Sequence, residues 1–525
     1  MKAKKLLATI MAASMILVTA CGTKKDANPG ASTDKGIKDG GTIIFQAGGD
    51  PNVLNPLYGN DRVTMTINNA LFSPLFVMNG DKTDFYLADS FESSSDFLTY
   101  TLKLKKDLKW HDGKPLTSDD MIFTLDKILD KKENSLLRDY LVINDKPIEY
   151  KKVDDTTVEF KLPEVTATFK SSIARLTPIP KHIFEGEENI AKSTKNDNPI
   201  GSGPYKYKEA TKGESVTLVR NEDYFRGKPH LETVVYRIIP DANTANSALT
   251  TGEISAKYIS AKDVDKFKDK LNVITFSENM LNNMVINQNN DALKIKEVRQ
   301  AIAYALDKEE LIKGAYTSTE YGDKANTVFT PGTLYHDNNG VEKYDFNVEK
   351  AKELLNKAGI TSLDLKLAYT NGSKEQEAQS LIVQQRLKDV GINVELMGME
   401  RNAFIQKLVD AKNNKDFDLG FNGFVMGVDP DGYKPLFLTG NPNNFMNYSN
   451  KDLDALWDKG AVETDDKKRA EIYKEVQKTI ADDMSLYPIV FPKSIVAIDN
   501  KFGGVEEAEP APIFMFRDLS KLYQK

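Results

Sequence analysis

LDLKLAYTNGSKEQEAQSLIVQQRLKDVGINVELM, residues 363–397, decides the fold class. Leu363 to Leu367 reads as a strand, Gln376 to Val390 as a helix and Val394 to Met397 as a second strand. Strands joined through a helix run in the same direction, so this is a parallel βαβ unit. Upstream, Val348 to Ala358 (VEKAKELLNKA) is an amphipathic helix ended by Gly359. Lys296 to Leu306 places Val298, Ile302 and Ala305 on one helical face. Thr117 to Asp120 offers capping oxygens ahead of Met121, Phe123, Leu125 and Ile128, and starts another helix. Thr42 to Gln46 (TIIFQ) reads as a buried strand. Tyr100 to Leu104 and Val158 to Leu162 alternate as half-exposed strands do. Interleaved helices and strands over a chain of 525 residues, too long for one core, make a multidomain α/β protein.

The N-terminus says where the chain works. Met1 to Lys5 holds three lysines and no acid, and Leu6 to Ala20 is almost purely apolar. The apolar run is shorter than a membrane span and has the layout of a secretory signal, residues 1–20. Leu17 to Cys21 (LVTAC) resembles the bacterial lipobox, in which the cysteine is lipidated and becomes the first residue. Cys21 is the only cysteine, so no disulfide forms within the chain and stability must come from a large core. Two acyl chains on Cys21 would hold the protein on the outer face of the cell membrane. Residues 21–40 are polar and rich in Gly, Pro, Ser and Lys, the composition of a flexible tether. The formal charge is −7, and losing Lys2, Lys4 and Lys5 with the leader makes it more negative, which argues against nucleic-acid binding.

Several further stretches accumulate in order. They are Gly40-Gly41 before the first strand, Trp110 to Thr117 (WHDGKPLT), Asn198 to Tyr205 (NPIGSGPY), Val219 to Phe225 (VRNEDYF) and Gly227-Lys228-Pro229. Then come Ile239-Pro240-Asp241, Gly252-Glu253-Ile254, Val298 to Ile302 (VRQAI), Tyr304 to Asp307 (YALD) and Tyr344-Asp345 with Lys350-Ala351 and Leu354-Leu355. Together they resemble the extracytoplasmic solute-binding proteins of peptide and nickel ABC importers, the oligopeptide-binding class, from about Gly40 to near the end of the chain.

That resemblance implies a two-lobed type II periplasmic-binding-protein fold with an extra subdomain in lobe one. Lobe one would combine residues 41–57, 183–283 and 493–525, with 58–182 as the subdomain, and lobe two would be 284–492. Hinge strands are expected near Leu281 to Gln288 and Tyr487 to Phe491. In peptide-binding relatives the strand end matching Phe417 to Tyr433 (FDLGFNGFVMGVDPDGY) lies along the ligand, and an acidic residue near it holds the peptide's α-ammonium. Asp429 is the first candidate for that role and Asp431 the second. Asn422, Gly423, Phe424, Val425, Met426 and Gly427 are expected beside the ligand. The family usually has Trp where this chain has Phe424. Its better-known peptide receptors place the acid three or four positions before the proline, where this chain has Met426 and Gly427. Gly48, Gly49 and Asp50 are expected to offer backbone groups to the peptide main chain, since glycine permits close approach. Dipeptide-specific relatives carry an arginine in the loop matching Tyr369 to Lys374. This chain has none there, which favours longer peptides.

The expectation is therefore a monomeric lipoprotein receptor that closes over an oligopeptide and delivers it to permease and ATPase subunits, without a cofactor. A receptor for nickel, a nickel chelate or a sugar on the same scaffold, and a peptide-pheromone sensor, are the alternatives. A surface-anchored hydrolase is disfavoured. The four histidines are scattered, and zinc, Gly-x-Ser-x-Gly and phosphate-loop motifs are missing.

Overall fold

The computed structural model describes residues 37–410 and 416–525. The signal, Cys21 and most of the tether lie outside the described residues. A twelve-stranded mixed sheet runs through the molecule. Its first half is Tyr205–Thr211, Ser215–Arg220, Thr233–Ile238, Thr42–Ala47 and Ala256–Tyr258. Its second half is Leu281–Ile286, Leu419–Phe424, Leu363–Thr370 and Ile392–Met399. The strand Leu486–Ile498 stands between them and belongs to both. Residues 486–490 of it pair with Leu281–Ile286, and residues 493–498 pair with Asn272–Ser277. All of this strand except Lys493 is buried, as an apolar run covered on both faces should be. The chain also crosses between the halves at Glu278–Met280, where Asn279 has φ +48. Glu278 is bound there by Ser494 and by Arg62, the latter at 3.3 Å.

The βαβ unit is as expected. Leu363–Thr370 and Ile392–Met399 pair in parallel, Leu363 with Ile392 through Thr370 with Met399, and the helix Lys374–Lys388 connects them. Thr117 caps the helix Ser118–Leu129 in a full capping box with Asp120.

The buried residues divide the chain into distinct cores. Two of them, one including Leu293, Ile302, Leu355 and Leu367 and the other Phe329, Tyr433, Trp457 and Tyr473, cover the two faces of the second half. Another two, around Phe45, Tyr236 and Phe516 and around Leu249, Phe267 and Ile495, cover the first. A further core gathers residues between Leu57 and Ile190 over an antiparallel sheet of Ala88–Ser93, Thr99–Leu104, Thr157–Lys161 and Glu149–Asp154.

The packing departs from the sequence boundaries in two places. The helix Arg62–Leu71 buries Ile67, Ala70 and Leu71 in the core of Phe45, although the sequence reading put it in 58–182. Phe184 and Ile190, read as lobe one, pack in the subdomain core. The reason lies in two motifs that are distant in sequence and touch in space. His111 donates its backbone N–H to the Gly201 carbonyl at 2.8 Å. Its ring Nδ1 accepts from Gly201 N–H at 3.1 Å, and its Nε2 lies 3.1 Å from the Gly203 carbonyl. Burial, chiefly, lowers the His111 pKa to about 4, so the ring is neutral at pH 7, with one acceptor and one donor nitrogen as both contacts require. Gly203 N–H in turn caps the Leu71 carbonyl at 2.8 Å. A Cβ at Gly201 or Gly203 would fall 1.9 or 2.4 Å from carbonyl oxygens of that helix end. The glycines therefore let the turn seal the helix onto the lobe-one core.

Candidate functional site

In open α/β sheets ligands bind outside the carboxyl ends of the parallel strands. Thr42–Ala47 is parallel to Thr233–Ile238, and its carboxyl end leads into Gly48, Gly49 and Asp50. Leu419–Phe424 is parallel to Leu363–Thr370, and its carboxyl end leads into Val425 to Asp431. The two candidate segments thus occupy equivalent places in the two halves of one sheet.

The first segment is open. Gly48 and Asp50 are exposed, and a Cβ at Gly48 or Gly49 would meet nothing within 4 Å. The Asp50 carboxylate accepts from Gly213 N–H at 2.9 Å. Beside Gly48 a small cavity of about 80 Å³ lies between Phe45, Arg62, Tyr258 and Met515. The Arg62 guanidinium sits over the Tyr258 ring at 4.8 Å, so the cavity has aromatic walls and a cation already paired with Glu278.

The second segment is held from many sides. Asn422 lies opposite Asn283 in the sheet and accepts from Gly423 N–H at 2.9 Å. Gly423 is exposed, and a Cβ on it would fall 2.4 Å from the Met280 Cε. Phe424 meets the edge of Tyr433 at 5.8 Å. Val425 is 47% exposed. The Met426 carbonyl accepts from Arg175 at 3.4 Å. Gly427 has φ +88, its carbonyl accepts from Thr333 at 3.4 Å, and the Val428 carbonyl accepts from Leu334 N–H at 2.8 Å.

Asp429 and Asp431 differ sharply. Asp429 is buried, and Arg469 grips both of its oxygens, at 2.9 and 3.0 Å. It also caps the turn Pro430–Tyr433 through Asp431 N–H at 2.9 Å. The Arg469 guanidinium lies over the rings of Tyr335 and Tyr473, which stack 5.9 Å apart. Burial works against the Arg469 charge, but Asp429 outweighs it and raises the pKa further. Asp431 has no such fork. Its side chain accepts a hydrogen bond from the Tyr473 hydroxyl at 3.4 Å. Burial, helped by the nearby Asp429 charge and opposed by Lys434 and Arg469, pushes its pKa up to about 6.

Arg469 went unseen in the sequence, although a signal for it exists. Arg469, Tyr473, Val476 and Ile480 fall on one face of the helix Asp466–Asp483, all buried. An arginine on the apolar face of a helix needs a buried partner.

Residues 85–446 match the bacterial extracellular solute-binding proteins, family 5 Middle. The chain belongs to this family. It is 31% identical to the oligopeptide-binding protein AppA of Bacillus subtilis, over 96% of each chain. Among solved structures, the ABC transporter substrate-binding protein CtaP of Listeria monocytogenes is 50% identical, with a TM-score of 0.90 over 93% of this chain and all of that one. AppA of Bacillus subtilis in complex with a nonapeptide has a TM-score of 0.73 at 28% identity, covering 93% of this chain and all of that one. The architecture is accordingly the two-lobed periplasmic-binding-protein fold, the family acts outside the cytoplasm, and its members bind solutes. Among the described residues no helix is long and apolar enough to cross a membrane.

Proposed function

We propose that this chain is an oligopeptide receptor, tethered to the membrane through Cys21, that hands its ligand unchanged to the permease and ATPase subunits of an ABC importer. The observation that carries this reading is near full-length similarity to an oligopeptide-binding protein whose relative fold is known with a nonapeptide bound. The cleft supports it physically. The open backbone at Gly48 and Gly49 suits a ligand added as a strand, and main-chain pairing tolerates many side chains.

Asp431 is the carboxylate we assign to the peptide's α-ammonium. Asp429 already shares its charge with Arg469, and a second cation there would have to displace a buried fork. Asp431 is desolvated without a fork of its own, so an incoming ammonium would stabilise its ionised form and form a charge-assisted hydrogen bond. Asn422 to Gly427 would line the ligand beside it.

Native mass spectrometry of freshly purified protein tests the reading. Bound peptides released on denaturation are the expected result. A homogeneous preparation carrying nickel or a sugar instead would overturn it.

A further inference from the structure

Residues 166–175 of the subdomain touch the second half of the molecule. Ala167 donates its backbone N–H to the Ala461 carbonyl at 2.9 Å, and the Thr166 hydroxyl reaches the same oxygen at 3.4 Å. Ala461 is in the last turn of the helix Lys451–Val462. The last four carbonyls of a helix have no partner within it, so the subdomain caps this helix from across the cleft. Eight residues further on, Arg175 donates to the Met426 carbonyl at 3.4 Å while its guanidinium rests 4.6 Å over the Tyr140 ring. A Cβ at Gly427 would stand 2.3 Å from that guanidinium, so the glycine leaves the place Arg175 occupies. Between these points burial lowers the pKa of Lys170, in the helix Phe169–Ile173, and the charge of Asp466 on the opposite side opposes that shift.

We propose that residues 166–175 form a latch that holds the two lobes closed through contacts of its own, with Arg175 as the positioning residue that also fixes the loop carrying Val425 to Val428. Every contact in it is protein to protein, so it favours closure whether or not the cleft is filled. A ligand then adds its differential affinity to an equilibrium the latch has already biased. The Ala167 bond has the better geometry, and Arg175 ties the latch to the candidate site.

The test is the distance distribution between spin labels at Val153→Cys and Leu381→Cys, in the chain carrying Cys21→Ser and with no ligand added. Val153 and Leu381 are exposed positions of the subdomain and the second half. A closed population is expected in the background protein. Arg175→Ala should lower the closed-to-open ratio about fivefold, the shift that losing one net hydrogen bond produces, and Arg175→Lys should retain most of it. Ala167→Pro, which removes the capping N–H, should lower it at least as much. No closed population in the background, or an unchanged ratio in both Arg175→Ala and Ala167→Pro, overturns the proposal. The outcome does not depend on which ligand the cleft takes.

Discussion

The two walls of the proposed cleft come from equivalent strand ends and are built in opposite ways. The lobe-one wall at Gly48 and Gly49 has free space around it and few contacts of its own. The lobe-two wall from Phe424 to Asp431 is fixed by a buried ion pair, an aromatic contact, two carbonyl bonds from its own lobe and one from the subdomain. A receptor for ligands of varied sequence needs both. On the proposed reading the open wall would accept a main chain in a common way, and the fixed wall would hold one end of it. Rigidity of that second wall also limits the ordering cost of binding.

The contrast breaks most visibly at Arg469. Arg469→Ala would leave Asp429 buried and unpaired, at a cost of about 3–5 kcal/mol in chemical denaturation. A loss below about 1 kcal/mol would mean the fixed wall does not depend on this pair.

Asp431 sharpens it next. Its folded pKa, about 6, lies above its ordinary value of 3.8, so the folded state holds the proton more tightly. Its stabilising contribution is complete below about pH 4 and is lost as pH rises through 6. Asp431→Asn should therefore match the parent protein at pH 4 and exceed its stability by about 1–3 kcal/mol at pH 7.5, while binding peptide more weakly. Equal stability at both pH values would show that Asp431 is not desolvated.

The glycines give the cleanest contrast, down to the smallest expected effect. Gly427→Ala places a side chain at φ +88 against Arg175 and should cost about 1–3 kcal/mol. Gly48→Ala should stay within about 0.5 kcal/mol in thermal unfolding. Similar costs at both positions would erase the distinction between the walls.

Much of the fold was legible because it is local. The βαβ unit, the capping box at Thr117 and the first strand, Thr42–Ala47, follow from periodicity and capping. Strands stand at Leu281–Ile286 and Leu486–Ile498, where the sequence expected strands to cross between the lobes. What escaped was non-local. The helix Arg62–Leu71 joins lobe one because a turn 130 residues later closes over its end, which no window of sequence contains. The site shows the same limit. The sequence put Asp429 ahead of Asp431, and only Arg469, 40 residues on, separates a paired carboxylate from an unmatched one. Arg175 carries no sequence signal, since an exposed arginine is ordinary until its place across the cleft is known.

On the proposed reading, an unmatched carboxylate on the fixed wall takes the amino terminus of a peptide lying along the open one. Calorimetry at pH 7.5 with a nonapeptide pool, free and N-acetylated, tests it most directly. Acetylation should weaken binding about tenfold or more, and Asp431→Asn should remove this difference. Equal affinity for the two pools in the unaltered protein would contradict it.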